Sequence, residues 1–119
     1  MIYSEKVLDH FHHPRHLGEL AEPSAVVEVT NPVCGDVLKL WVALQKGKLI
    51  QVKFKVEGCI PAIACGSWLA EWMEGKLLDE LKSLTPAQIE QDLQGLPAAS
   101  RHACVLAADA AKEIWKKLS

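Results

Sequence analysis

The chain has 119 residues, of which 50% are hydrophobic and 24% charged, with a mean hydropathy of +0.08. That length suits one compact domain over residues 1–119, with enough apolar side chain to bury a core without disulfide staples, and it excludes a disordered tail. Thirteen basic and fifteen acidic residues leave a net charge of −2 and a pI near 6.2. This balance argues against nucleic-acid and membrane partners, which call for a basic field.

Ser4 is placed to cap a first helix over residues 4 to 12, which Pro14 stops because the residue before a proline avoids helical geometry. Residues 14 to 24 carry Pro14, Gly18, Pro23 and Ser24 and read as a loop. Three strand signals follow, at 25–30, 37–44 and 50–57. Leu38, Leu40, Val42 and Leu44 alternate with outward positions in the second, and Ile50, Val52, Phe54 and Val56 in the third. The short link Gln45-Lys46-Gly47-Lys48 predicts a hairpin between these two.

After Gly58 the period changes to helical. The pattern predicts a helix over 62–74 with Ile63, Leu69, Trp72 and Met73 on its apolar side, and a short helix through Leu77, Leu78, Leu81 and Leu84. Thr85-Pro86-Ala87-Gln88 is a well-formed helix start, and Gly95 and Pro97 end that helix. The last helix, from about 99 to 118, presents Ala103, Leu106, Ala107, Ala110, Ile114 and Leu118 on one face, with Lys112, Lys116 and Lys117 as a solvated end. The predicted fold class is α+β. A three-stranded antiparallel sheet carries an N-terminal helix and several C-terminal helices packed on it.

Four cysteines remain: Cys34, Cys59, Cys65 and Cys104, at intervals of 25, 6 and 39 positions. No apolar stretch at the N-terminus reads as a secretory signal, and no run reaches the roughly 18 residues of a membrane span. The expected compartment is the reducing cytoplasm, where thiols stay free. There is no CxxC, so any shared site must be assembled by the fold from distant segments. Cys34 and Asp36 fall in the turn between the first two strands, and Cys59 directly follows the third. An antiparallel sheet brings these to one end, while His102 and Cys104 open the last helix. Two thiolates, a carboxylate and an imidazole suit zinc or iron rather than magnesium or calcium. Small buried residues are the competing explanation for the same cysteines.

Several ordered segments resemble the iron–sulfur cluster assembly scaffold proteins of the NifU/IscU type. They are Tyr3 to Phe11 with Pro14, Arg15 and Gly18; Asn31-Pro32-Val33-Cys34-Gly35-Asp36; Phe54 to Cys59 followed by Ala62-Ile63-Ala64 and Ser67; and Leu96-Pro97, His102 and Leu106 to Ala110. The resemblance spans nearly the whole chain. It implies a SufE/NifU-like fold and a scaffold without turnover of its own. Such a scaffold takes sulfur from a PLP-dependent cysteine desulfurase and assembles a transient [2Fe–2S] cluster. It binds iron, or zinc in the protein as isolated, at the same site, and passes the cluster to recipient apo iron–sulfur proteins. The implied metal residues are Cys34, Asp36, Cys59 and His102, with Cys104 as a substitute ligand and sulfur acceptor.

Two segments depart from the family pattern. The family has cysteine directly after the histidine, whereas here Ala103 stands in that place and Cys104 comes one position late. Residues two apart on an ideal helix point about 200° apart, so His102 and Cys104 face one metal only if His102 lies in a non-helical cap. Otherwise Cys104 packs elsewhere. The family's Pro-Pro-Val-Lys chaperone segment is Pro97-Ala98-Ala99-Ser100 here, which argues against recognition by a dedicated Hsp70-type chaperone. Competing functions are a zinc-bound persulfide relay for a desulfurase and a scaffold altered in its cluster chemistry. A zinc hydrolase or deaminase is disfavoured, because the His-x-Glu and Pro-Cys-x-x-Cys elements of zinc deaminases are absent from this chain. Cys65 is expected in the core. His10, His12, His13 and His16 are expected to decorate an exposed helix and loop, and Trp68 and Trp72 to pack one turn apart.

Overall fold

A computed structural model describes residues 2–119. Helix α1 spans Glu5–His12. Ser4 caps it by accepting from the Val7 amide at 3.1 Å, and its hydroxyl donates to the Leu93 carbonyl, which ties the chain start to a segment 89 residues away. Strands β1 (Ala25–Thr30), β2 (Val37–Gln45) and β3 (Lys48–Glu57) form an antiparallel meander in that order. The β2–β3 turn has positive φ at both Lys46 (53°) and Gly47 (76°), the turn geometry whose twist matches a two-residue hairpin.

The alternating pattern becomes three rows across the sheet. Val29, Leu38 and Val56 align, then Val27, Leu40 and Phe54, then Ala25, Val42 and Val52. Most of these side chains are fully buried and supply the sheet side of the core. The alternation changes phase near the β2–β3 hairpin. Ile50, expected inward, is 43% exposed, and Leu49 is buried instead. Pairing shifts between Ala43 and Leu44, so that Leu44 opposes Leu49 and Ile50 is the extra residue of a bulge. A one-residue shift exchanges the two faces of a strand.

Helix α2 (Ile60–Met73) packs on the core face of the sheet. Nearly all of it is buried, so no single apolar side describes it. Gly66 sits so close to the sheet that a Cβ there would lie 2.9 Å from the Phe54 ring. The expected helix through Leu77 to Leu84 is instead a 3-10 turn at Leu78–Ser83. Before it, the Leu49 amide donates to the Lys76 carbonyl and the Gly75 amide to the Leu49 carbonyl, so this stretch follows the edge of β3. The loop before β1 covers the same edge further along. The Phe54 amide donates to His16 and the Gly18 amide to Phe54, both at 3.0 Å. Edge strands are protected by covering of this kind.

Helix α3 (Pro86–Asp92) starts at Thr85, whose hydroxyl accepts from the Gln88 amide as the sequence predicts. A 3-10 turn at Ala98–Ser100 precedes helix α4 (His102–Leu118), which packs on β1 and α2. At the β1 edge the Lys117 ammonium donates to the Val26 carbonyl at 2.7 Å. Among the described residues, no helix is long and apolar enough to cross a membrane.

Candidate metal centre

The β1–β2 loop is closed by its own backbone. The Asn31 amide donates to the Asp36 carbonyl at 2.8 Å, and the Gly35 amide to the Asn31 carbonyl at 2.7 Å. The Asn31 side chain accepts from the Val33 amide at 2.9 Å, and Gly35 takes the positive φ (74°) that the turn requires. This loop leaves Cys34 exposed and turns Asp36 inward, where it is 5% exposed.

Pairing of Val37 with Glu57 sets Asp36 beside Gly58. A Cβ on Gly58 would stand 2.5 Å from Asp36 Oδ1, so only glycine leaves room for the carboxylate. Cys59 follows as the N-cap residue of α2, and its thiol donates to Asp36 Oδ2 at 3.3 Å. Burial pushes the Cys59 thiol above its ordinary pKa, and the Asp36 carboxylate adds to the rise against a lowering contribution from the Ala62 amide.

His102 approaches from the first turn of α4. Its Nδ1 lies 3.0 Å from the Ala99 carbonyl, an acceptor only, so Nδ1 carries the proton and donates. In the neutral ring Nε2 is then a lone pair. It is buried, lies 3.5 Å from Asp36 Oδ2 and makes no hydrogen bond among the described residues. A buried nitrogen without a hydrogen bond, beside a carboxylate and a thiol, is an incomplete polar network of the kind a cation completes. Ligand atoms of Asp36, Cys59 and His102 all lie within 4.8 Å of one another. The backbone carbonyl on the far nitrogen is the usual means of orienting a ligand histidine. The donor set fits zinc or iron, and a metal ion would take the place of the thiol proton.

Of the five residues expected at the metal, three converge. Cys34 stands on the exposed rim, two residues before Asp36 in the same loop. Cys104 is outside the cluster. It is 1% exposed, with its sulfur 4.0 Å from that of Cys65. The physical reason is helical phase. Arg101 is already right-handed helical (φ −65°, ψ −21°) and its carbonyl accepts from the Cys104 amide at 3.0 Å. His102 therefore lies within the wound chain, and a step of two residues carries Cys104 to the opposite side. Ala103 between them is fully buried.

One exposed decoration expected from the sequence is also corrected. His10 is 4% exposed and hydrogen-bonds Ser67 at 2.8 Å, while Ser67 accepts from the Arg15 amide at 2.8 Å. His10 falls on the inner side of α1 with Val7, three residues earlier, and that spacing was its available signal. The crowding at Gly58 had no signal beyond its place next to Cys59. A larger groove of about 720 Å³ between β1 and α4, lined by Glu28, Asp109, Lys112 and Lys117 among others, is lined by no cysteine or histidine.

The NifU-like N terminal domain family matches residues 2–118, and the chain belongs to that family. It is 40% identical over 116 residues to an iron-sulfur cluster assembly scaffold protein IscU of Haemophilus influenzae, covering 94% of this chain and 91% of that one. It is 39% identical over 115 residues to a Drosophila melanogaster protein named iron-sulfur cluster assembly enzyme IscU, covering 93% and 74%. The fold matches the crystal structure of a nitrogen-fixing NifU-like protein (N-terminal) from Brucella abortus with a TM-score of 0.80 at 22% identity, over 98% of this chain and 94% of that chain.

Proposed function

We propose that this chain is an iron–sulfur cluster assembly scaffold, with iron and sulfide as cargo held at the end of the sheet where Asp36, Cys59 and His102 meet. The supporting observation is the convergence of those three ligand atoms within 4.8 Å, with a buried histidine Nε2 that makes no hydrogen bond among the described residues. Cys34, exposed two residues before Asp36, completes a set of two sulfurs, one oxygen and one nitrogen, enough for the irons of a transient [2Fe–2S] cluster. Each residue has a distinct task. His102 is pre-oriented by the Ala99 carbonyl. Asp36 accepts a hydrogen bond from the Cys59 thiol and offers a harder oxygen ligand that favours release of the cargo. Cys34 and Cys59 are the exposed thiols, so sulfur arriving as a persulfide reaches them more readily than the buried Cys104.

A PLP-dependent cysteine desulfurase supplies that sulfur, recipient apo proteins take the cluster, and the chain itself turns nothing over. A reducing, cytoplasmic setting keeps the thiols free. Anaerobic incubation with ferrous iron, cysteine and a desulfurase gives visible charge-transfer absorption together with acid-labile sulfide. A colourless protein with intact thiols would overturn the reading. A second reading, a zinc-bound persulfide relay, is favoured by a cluster of three ligands sized for one ion. It predicts one tightly held zinc and faster desulfurase turnover with no labile sulfide formed.

A further inference from the structure

Two of the four thiols are not used by the site described above, and they touch. Cys65 on α2 and Cys104 on α4 are 39 residues apart in sequence, each 1% exposed, with their sulfurs 4.0 Å apart. We propose that this pair is a second, independent thiol site that a small peroxide oxidises to a disulfide joining α2 to α4.

The setting permits the bond. The facing helices are rich in small residues, with Ala62, Ala64 and Ala70 on α2 and Ala103, Ala107, Ala108 and Ala111 on α4, all buried. Small side chains let helix backbones approach closely, and a disulfide needs Cα atoms within roughly 7 Å. The two sulfurs must close by about 2 Å to reach bonding distance, a movement available to side-chain rotation. Cys104 lies in the first turn of α4, which follows a 3-10 turn and begins without a side-chain cap. Opening of such a helix end admits a small neutral oxidant.

The chemistry balances with hydrogen peroxide as the two-electron oxidant. The Cys104 thiol gives up its proton and its sulfur attacks one peroxide oxygen; the O–O bond breaks, and the hydroxide released takes up that proton, leaving a sulfenic acid and one water. The Cys65 sulfur then attacks the sulfenic sulfur, the S–O bond breaks, and the disulfide and a second water form. Two thiols lose two protons and two electrons, and peroxide is reduced to two waters. A dithiol reductant reverses the change. The bond costs the metal centre no ligand. It also holds the turn that carries His102 against the helix that Cys59 caps.

The test uses the full chain carrying Cys34→Ser and Cys59→Ser, which leaves only the buried pair. It is treated with hydrogen peroxide, quenched, alkylated in denaturant and mapped by mass spectrometry. The expected result is one intramolecular peptide pair linked through Cys65 and Cys104, with loss of two hydrogens, joint loss of both free thiols, and a raised thermal midpoint that dithiothreitol reverses. Full alkylation of both cysteines would overturn the proposal. So would a sulfinic acid on Cys104 with Cys65 free, or a link only between chains. If the double variant does not fold, the same linked peptide is sought in the peroxide-treated wild-type chain, where its absence is equally decisive.

Discussion

The ends of two helices handle cysteine in opposite ways. At the N-terminus of α2, Cys59 is exposed, hydrogen-bonded to a carboxylate and close to an imidazole nitrogen that makes no hydrogen bond among the described residues. In the first turn of α4, Cys104 is buried against another thiol. The residue type is the same and both lie near the meeting of sheet and helices, so position on the helix decides the role. Cys59 occupies the extended cap position (φ −78°, ψ 170°), from which a side chain reaches the sheet end. Cys104 sits within the wound first turn of α4, where phase directs it into the core.

The largest expected break in this comparison is Cys59→Ala, which removes a ligand and leaves the Asp36 carboxylate facing the His102 lone pair. Zinc binding measured by chelator competition is expected to be lost, while the same assay on Cys104→Ala retains it. Next is Gly58→Ala. The new methyl group would displace the Asp36 carboxylate, with an expected loss of roughly 10- to 100-fold in metal affinity and about 1–3 kcal/mol of stability. Denaturant titration checks the stability and chelator competition the affinity. Asp36→Ala acts in the opposite direction on the cargo. Without the hard oxygen ligand the assembled cluster is expected to decay more slowly, read from its visible absorption, and faster decay would contradict the role given to Asp36.

The smallest expected effect lies on the far side of α2. Burial first, and the Arg15 charge second, hold the His10 pKa below its ordinary value against the raising influence of Glu71 and Asp9. The unfolded chain therefore binds this proton more readily than the folded one. The contribution of neutral His10 is complete above the ordinary histidine pKa of about 6.5 and is lost as pH falls through the depressed folded value. Thermal midpoints between pH 7 and 5 are expected to fall less steeply for His10→Gln than for the wild type.

The sheet was legible because one buried face imposes strict alternation, and the rows through Leu38, Leu40 and Val42 follow it. Ile50 and Leu49 were not, because a bulge changes parity without changing composition. The α+β order, the Thr85 cap and the Asn31–Asp36 loop were readable from local chemistry, as was the resemblance to the scaffold family that the comparisons bear out. The phase conflict between His102 and Cys104 was also readable. Its resolution needed the conformation of Arg101, a boundary detail that local pattern does not specify. The contact of Cys65 with Cys104 depends on how α2 and α4 meet across 39 residues, and no local signal carries it.

The central claim is that cluster cargo is held by the open cysteines and not by the buried one. Iron and acid-labile sulfide, measured after identical anaerobic reconstitution of Cys104→Ser and Cys59→Ser, test it most directly. Cys104→Ser is expected to keep wild-type cluster content and Cys59→Ser to lose nearly all of it. A folded Cys104→Ser protein that fails to hold a cluster, beside a Cys59→Ser protein that holds one, would contradict it.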